Sequence, residues 1–254
     1  MIYDTIGWKR NLCLPVFISG GTPDPEQPGG YDMKYSDLSH IWKEIYKAEW
    51  ESVCRGSKAI AAMITDENGE IISSGRNRIA EQDILNPRVL HAEVEAVRGL
   101  DVAKYPLVKS YTLYAALEPC PMCLGTLVMG GIRNLVVGAR DDHGGAVELL
   151  EKSAFLASKH VRVTWMPQEY GDVQRGLQAI RELLFNDEPD RLARMLADFS
   201  VYNGRGVRAA RKMVESGMFR EKEPRDYDAS FIFNRLCELI AEGDADDEDR
   251  KSVV

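Results

Sequence analysis

The chain has 254 residues, 44% hydrophobic and 28% charged, which is ordinary globular usage and excludes a fibrous or wholly disordered protein. Its 40 acids against 32 bases give a formal charge of −8, which argues against a surface that grips nucleic acid throughout. No apolar run approaches the ~18 residues of a membrane span. Pro15 interrupts the short apolar stretch at residues 11–18, and no cleavage site follows it, so the expectation is a cytoplasmic protein without membrane contact.

In chain order, residues 1–36 read as irregular, because the stretch 20–30 is dominated by Gly and Pro. Helical periodicity starts near Asp37, a predicted N-cap, with Leu38, Ile41, Trp42, Ile45 and Trp50 as the apolar face. Two short strands, 59–65 and 70–75, flank the turn residues Asp66, Glu67, Asn68 and Gly69. A polar loop follows to Pro87. The next helix carries His91, Glu93, Val94 and Val97 and stops near Gly99 or Asp101. A strand at 111–117, a helix at 120–129 ended by Gly130 and Gly131, a strand at 134–138, a helix near 147–158 and a strand at 161–165 complete the pattern. Strands alternating with helices predict an α/β domain whose partly parallel sheet is covered on both faces.

Beyond residue 166 no strand is evident, and four helical stretches are predicted near 172–186, 189–199, 204–216 and 228–242. The organisation expected is therefore an irregular segment at 1–36, a domain at 37–166, a helical extension at 167–242 and an acidic, disordered tail at 243–254. Residues 37–166 carry 15 bases and 17 acids, and residues 167–254 carry 14 and 19, so most of the acidity belongs to the C-terminal part. The four bases at 201–213 (Arg205, Arg208, Arg211 and Lys212) are read as a solvated helix face.

Five cysteines at irregular spacing do not make a disulfide framework. Cys120 and Cys123 form a C-x-x-C pair at the start of a helix, where two positions three apart share a face. The positive end of the helix dipole is expected to lower both thiol pKa values. Upstream stands His91-Ala92-Glu93, and Pro119 precedes Cys120. H-x-E followed within thirty residues by P-C-x-x-C is the signature of zinc deaminases. Its chemistry needs three nitrogen or sulfur ligands and one open position for water, which His91, Cys120 and Cys123 provide. Glu93 is left over as a carboxylate able to carry protons. Positions two apart lie on different faces of a helix, so the site requires His91 and Glu93 to sit at an irregular first turn.

With these motifs on the page, the sequence resembles the cytidine deaminase-like superfamily. It looks closest to the branch of tRNA adenosine deaminases, bacterial guanine deaminases and fungal-type cytosine deaminases. The resemblance is carried by Leu90-His91-Ala92-Glu93, Thr112-Leu113-Tyr114, Leu117-Glu118-Pro119-Cys120-Pro121-Met122-Cys123-Leu124-Gly125, and the strand 132–137 running into Gly138-Ala139-Arg140-Asp141. It covers roughly residues 37–166. It implies a three-layer α/β/α sandwich around a five-stranded mixed sheet, assembled as a homodimer or higher oligomer. It implies Zn²⁺ on His91, Cys120 and Cys123, with Glu93 as proton shuttle. It also implies substrate contacts from the side chain of Asn77 and the backbone N–H of Ala92. Glu118 matches a common family residue whose plain role is packing or capping beside the zinc loop.

The activity expected is hydrolytic removal of an exocyclic amine from a nucleobase, nucleoside or related amino-heterocycle, with release of ammonia. The near-neutral core favours a small substrate. One alternative is a tRNA adenosine deaminase making inosine, which the Gly138–Asp141 run favours and the lack of a clearly basic C-terminal region disfavours. The other is a non-catalytic deaminase-like binding protein, which the intact Glu93 disfavours. Purine and pyrimidine remain open. His143 reads as an exposed loop histidine, and the tryptophans as core or interface anchors.

Overall fold

The structure, a computed structural model, describes residues 31–82 and 85–252, with side chains through residue 243. Most of the irregular segment expected at 1–36, Cys13 and Trp8 included, lies outside the described residues.

Helix α1 (His40–Cys54) is capped by Ser39, whose hydroxyl accepts from the Trp42 N–H at 3.4 Å. Asp37 instead closes a short 3₁₀ turn (Tyr35–Asp37), so the expected cap lies two residues too early. Leu38 precedes the cap and is buried, while Ser39 itself takes the non-helical backbone (ψ 159°) that a cap requires. Ile41, Trp42, Ile45, Tyr46, Trp50 and Val53 form the buried face of α1.

Strands β1 (Ala61–Thr65) and β2 (Ile71–Arg76) pair antiparallel across a turn in which Gly69 takes φ +84°. Asp66 holds that turn by accepting from the N–H groups of Asn68 and Glu70, both at 2.9 Å. Helix α2 (Ala92–Gly99), β3 (Thr112–Leu117), α3 (Pro121–Met129), β4 (Asn134–Ala139), the short helices α4 (Leu149–Lys152) and α5 (Ala154–Ala157), and β5 (Arg162–Trp165) follow. The single helix expected over 147–158 is thus two, broken at Ser153, which caps the second.

The strand order is β2-β1-β3-β4-β5, antiparallel across the first three strands and parallel across the last three. This is the five-stranded mixed sheet of an α/β/α sandwich. Every residue of β1 is buried, because helices cover both faces. One core includes α1 with Met63, Ala116 and Tyr170, and the other includes Ala96, Leu124, Leu127 and Leu135 on the α2–α3 side.

The helices after the sheet are not an appendage. Helix α6 (Gln168–Phe185) is buried along most of its length, and Tyr170, Val173, Leu177 and Ile180 join the α1 core. Helix α7 (Pro189–Glu215) bends where Asn203 leaves helical geometry, which is the break expected between 199 and 204. Helices α6 and α7 pack backbone against backbone, for a Cβ at Gly206 would lie 1.8 Å from the Asp172 carbonyl oxygen. A short α8 (Met218–Glu221) leads to α9 (Ala229–Ser252), whose Ile232, Phe233, Leu236 and Ile240 complete the same core. The core on the α1 side therefore includes residues from both sides of position 166. Helix α9 also continues through the acidic stretch for which disorder is expected. That stretch holds no Pro, and each residue added to a formed helix contributes a hydrogen bond without a new nucleation cost. Arg205, Arg208, Arg211 and Lys212 lie exposed on α7.

Candidate active site

Three helix N-termini and the ends of two parallel strands converge on one cleft of about 380 Å³. A volume of this size is typical of small-ligand sites, and this end of an α/β sheet is where ligands usually bind. His91 is the N-cap of α2, with extended backbone (φ −77°, ψ 155°), and Glu93 sits one residue inside the helix. The cap resolves the difficulty of the H-x-E spacing. Because His91 is not yet helical, its ring and the Glu93 carboxylate turn to the same side. Cys120 is likewise the N-cap of α3, with Pro121 at the first helical position and Cys123 in the first turn.

The His91 Nδ1 atom lies 3.4 Å from Cys123 Sγ and 3.7 Å from Cys120 Sγ, and the two sulfurs are 3.6 Å apart. A tetrahedral zinc with Zn–S of about 2.3 Å and Zn–N of about 2.0–2.1 Å needs donor edges of roughly 3.5–3.8 Å. The three donors match that triangle, and they are the one metal-compatible group of this kind among the described residues. The Cys123 thiol also contacts Glu93 Oε2 at 3.2 Å.

The electrostatics follow from this crowding. The Cys120 thiol is pulled down to about 4, chiefly through its hydrogen bond with Cys123 and then because His91 stands beside it. The Cys123 thiol moves the other way, first through its hydrogen bond with Cys120 and then through burial. The helix dipole alone led to the expectation that both fall; the shared proton separates them. Burial raises Glu93, and the hydrogen bond to Cys120 raises His91.

Asn77 follows β2 and is buried at the cleft wall. Its backbone N–H donates to the Ile60 carbonyl at 2.8 Å, and its side-chain oxygen accepts from the N–H groups of Ile79 at 3.2 Å and Lys58 at 3.4 Å. The amide is thereby oriented, with its nitrogen free of these bonds. Ala92 is fully buried at the first position of α2. Its neighbour across the packing is Gly75, where a Cβ would stand 2.1 Å from the Ala92 carbonyl oxygen. Glu118 is a cap: its two oxygens accept from the N–H groups of Asp141 and Val147, both at 3.2 Å, and so fold the loop after β4 over the cleft. His143 is exposed on that loop and also borders the cleft.

A family model of MafB19-like deaminases matches residues 36–199. The chain belongs to the MafB19-like deaminase family. The match runs past the sheet into α7, in keeping with the packing of α6. This family member is 30% identical over 122 residues to a probable cytosine deaminase of Schizosaccharomyces pombe, spanning 48% of this chain and 70% of that one. It is 34% identical over 138 residues to the tRNA-specific adenosine deaminase of Bacillus subtilis, spanning 51% of this chain and 81% of that one. Among solved structures it is similar to a tRNA deaminase of the kind that edits A to I at the wobble position. There the identity is 29% and the TM-score 0.40, over 50% of this chain and 96% of that chain.

The far wall of the cleft in this MafB19-like deaminase was not foreseen from spacing. It comes from α6 and α7, through Arg175, Gln178, Arg191, Met195, Asp198 and Phe199. Arg175 is almost fully buried and donates to Asp141 Oδ1 at 2.8 Å, to the Arg140 carbonyl at 3.1 Å and to Gln178 Oε1 at 2.9 Å. Its guanidinium also stacks over Phe199, 4.7 Å from the ring centre. The available sequence signal was an arginine on the apolar face of an amphipathic helix, which helical periodicity places inside but does not pair with Asp141.

Proposed function

We propose that the protein is a zinc-dependent hydrolytic deaminase that acts on a nucleobase, a nucleoside or a related amino-heterocycle. The observation that carries this reading is the His91–Cys120–Cys123 triangle with a buried carboxylate, Glu93, against it. In the reaction a ring C–NH₂ and water become a ring C=O and ammonia.

His91, Cys120 and Cys123 would hold the metal. When bound, zinc supplies the Lewis acidity that makes water nucleophilic near neutral pH. Glu93 takes a proton from that water, passes it to the ring nitrogen, and carries another to the leaving amine. Its raised pKa suits this, because a carboxyl that is easily protonated can both accept and return a proton. The Asn77 amide and the Ala92 N–H hold the base, and their positions are fixed by backbone bonds and by helix geometry rather than by mobile side chains. Leu117, Met195 and Phe199 keep bulk water from the reacting atoms.

Ammonia release from guanine, adenine, cytosine, their nucleosides and pterin-like amines tests the reading. About one zinc per chain is expected. Glu93→Ala should abolish ammonia release and retain the metal; activity surviving in that variant would sink the mechanism.

A second reading is deamination of adenosine in tRNA, which the likeness to the Bacillus subtilis protein favours. Salt-dependent tRNA binding supports it, and failure to bind at low salt removes it. A cytoplasmic location and a homodimer belong to the same proposal, the latter to be checked by light scattering. Among the described residues no helix is long and apolar enough to cross a membrane.

A further inference from the structure

The carboxylates deep in the cleft are already engaged. Asp141 is held by Arg175, Glu118 by two backbone N–H groups, and Glu93 by the Cys123 thiol. Asp198 stands half exposed at the rim, 4.0 Å from His143; deeper in the cleft, what remains are donors. Gln178 is 4% exposed, and its side-chain oxygen is taken by Arg175. A guanidinium only donates, so the carboxamide cannot be turned round. Its nitrogen is therefore left without an acceptor among the described residues. Lys58 borders the same cleft, partly buried, and its ammonium likewise has no hydrogen bond or ion pair among the described residues. Burial depresses the Lys58 pKa even though the carboxylates of Glu182 and Asp141 act in the opposite direction.

Both residues line the same cleft, and the segments that carry them are joined beside it. Gln174, one turn before Gln178 on the same face of α6, donates to the Ala59 carbonyl at 2.9 Å, and Ala59 follows Lys58. Arg191 adds a positive charge at the rim. A neutral carbonyl would satisfy the amide of Gln178 and leave the ammonium unanswered. A phosphate group, with negative charge and several acceptor oxygens, answers both.

We propose that Lys58 and Gln178 form a phosphate-recognising subsite of the cleft, so that the substrate is a phosphorylated nucleoside rather than a bare base. This rests on the deaminase reading above for the amine-bearing half of the substrate. The phosphate can belong to a free nucleotide or to a strand of RNA, and the two are separated by their turnover.

The test compares kcat/KM for nucleosides, their 5′-monophosphates and a short single-stranded RNA, using the zinc-loaded full chain. The monophosphate or the RNA is expected to exceed the nucleoside about tenfold or more, the usual return on a charge-assisted hydrogen bond. The better of the two names the source of the phosphate. Lys58→Met should bring the ratio toward one, chiefly through KM, whereas Lys58→Arg should preserve it. Gln178→Glu keeps an acceptor for Arg175 but sets a negative charge against the phosphate, and should lower the ratio further. Inorganic phosphate should inhibit competitively and bind by calorimetry, and Lys58→Met should remove both effects. Equal turnover of nucleoside, monophosphate and RNA, with no Lys58-dependent phosphate binding, overturns the subsite. Lys58-dependent phosphate binding without ammonia from any substrate keeps the subsite and removes the deaminase reading instead.

Discussion

The two walls of the cleft are held in different ways. On the sheet wall, His91 and Cys120 are placed by backbone: each is a helix N-cap, and Asn77 is pinned by main-chain bonds beside the sheet. On the helix wall, Arg175 and Gln178 are placed by side chains. Arg175 reaches Asp141 and the Arg140 carbonyl, 34 and 35 residues earlier in the chain, and then fixes Gln178. A backbone-built wall survives many side-chain changes so long as caps and close contacts persist. A side-chain wall fails as a network, because a single deletion leaves its partners buried and unpaired.

The sharpest break in the sheet wall is loss of a thiolate. Cys120→Ala should reduce bound zinc from about one per chain to near zero, measured by metal analysis, since two donors alone hold zinc poorly. Retention of zinc would move the metal elsewhere.

A pair of glycine substitutions sets the walls against each other. Gly206→Ala places a methyl 1.8 Å from the Asp172 carbonyl, between α6 and α7, and Gly75→Ala places one 2.1 Å from the Ala92 carbonyl, at the start of α2. Both should destabilise by about 1–3 kcal/mol in urea unfolding, the cost of overpacking. They should differ in chemistry. Gly75→Ala displaces the segment that carries His91 and Glu93 and should lower kcat. Gly206→Ala spreads the helix wall and should act through KM, with zinc retained. If the two profiles coincide, the walls are not separable.

Arg175→Met removes the hub of the helix wall. Breaking a buried ion pair of this kind costs about 3 kcal/mol when the partner stays buried. Asp141 is 19% exposed against 3% for Arg175, so water can recover part of that cost. The expected loss is nearer 2 kcal/mol, with a raised KM, zinc retained and the Asp141 loop more accessible to hydrogen exchange.

The same contrast explains what was legible in the sequence. The sheet wall is local: C-x-x-C, the preceding Pro119 and H-x-E are each compressed into a few residues, so the motif signature could group His91, Cys120, Cys123 and Glu93, while the N-cap geometry that turns His91 and Glu93 to one side was not legible. Strand and helix positions followed from periodicity to within a few residues. The cap at Ser39 and the break at Ser153 were missed because a serine's role as a cap depends on where the backbone turns, which composition does not reveal. The helix wall was missed for a different reason. Its pairing partners stand more than thirty residues apart, and nothing in a single sequence marks Arg175 as the mate of Asp141. The burial of α6 was hidden for the same reason, since it is decided by the sheet the helix lands on.

The seam between the walls offers the finest test. Glu49 on α1 is fully buried, and Gln174 on α6 donates to it at 3.3 Å while also holding the Ala59 carbonyl. Burial raises the Glu49 pKa well above the ordinary carboxylate range, so folding favours the protonated form of this side chain. The unfolded chain, with an ordinary glutamate near ~4.3, gives the proton up. Folding then takes up a proton, and stability falls as pH rises above the unfolded value. The contribution is fully present below that value and is lost progressively toward the folded one. Glu49→Gln keeps an oxygen for Gln174 and removes the titration. It should therefore raise stability at pH 7 by on the order of 1 kcal/mol, the usual size of a single stabilising substitution. It should also flatten the decline in stability as pH rises above the unfolded value in urea titrations. Because Glu49 touches neither the zinc triangle nor Arg175, kcat and KM should stay unchanged. A variant with altered KM would mean that the seam transmits to the cleft, and that the two walls are one mechanical unit.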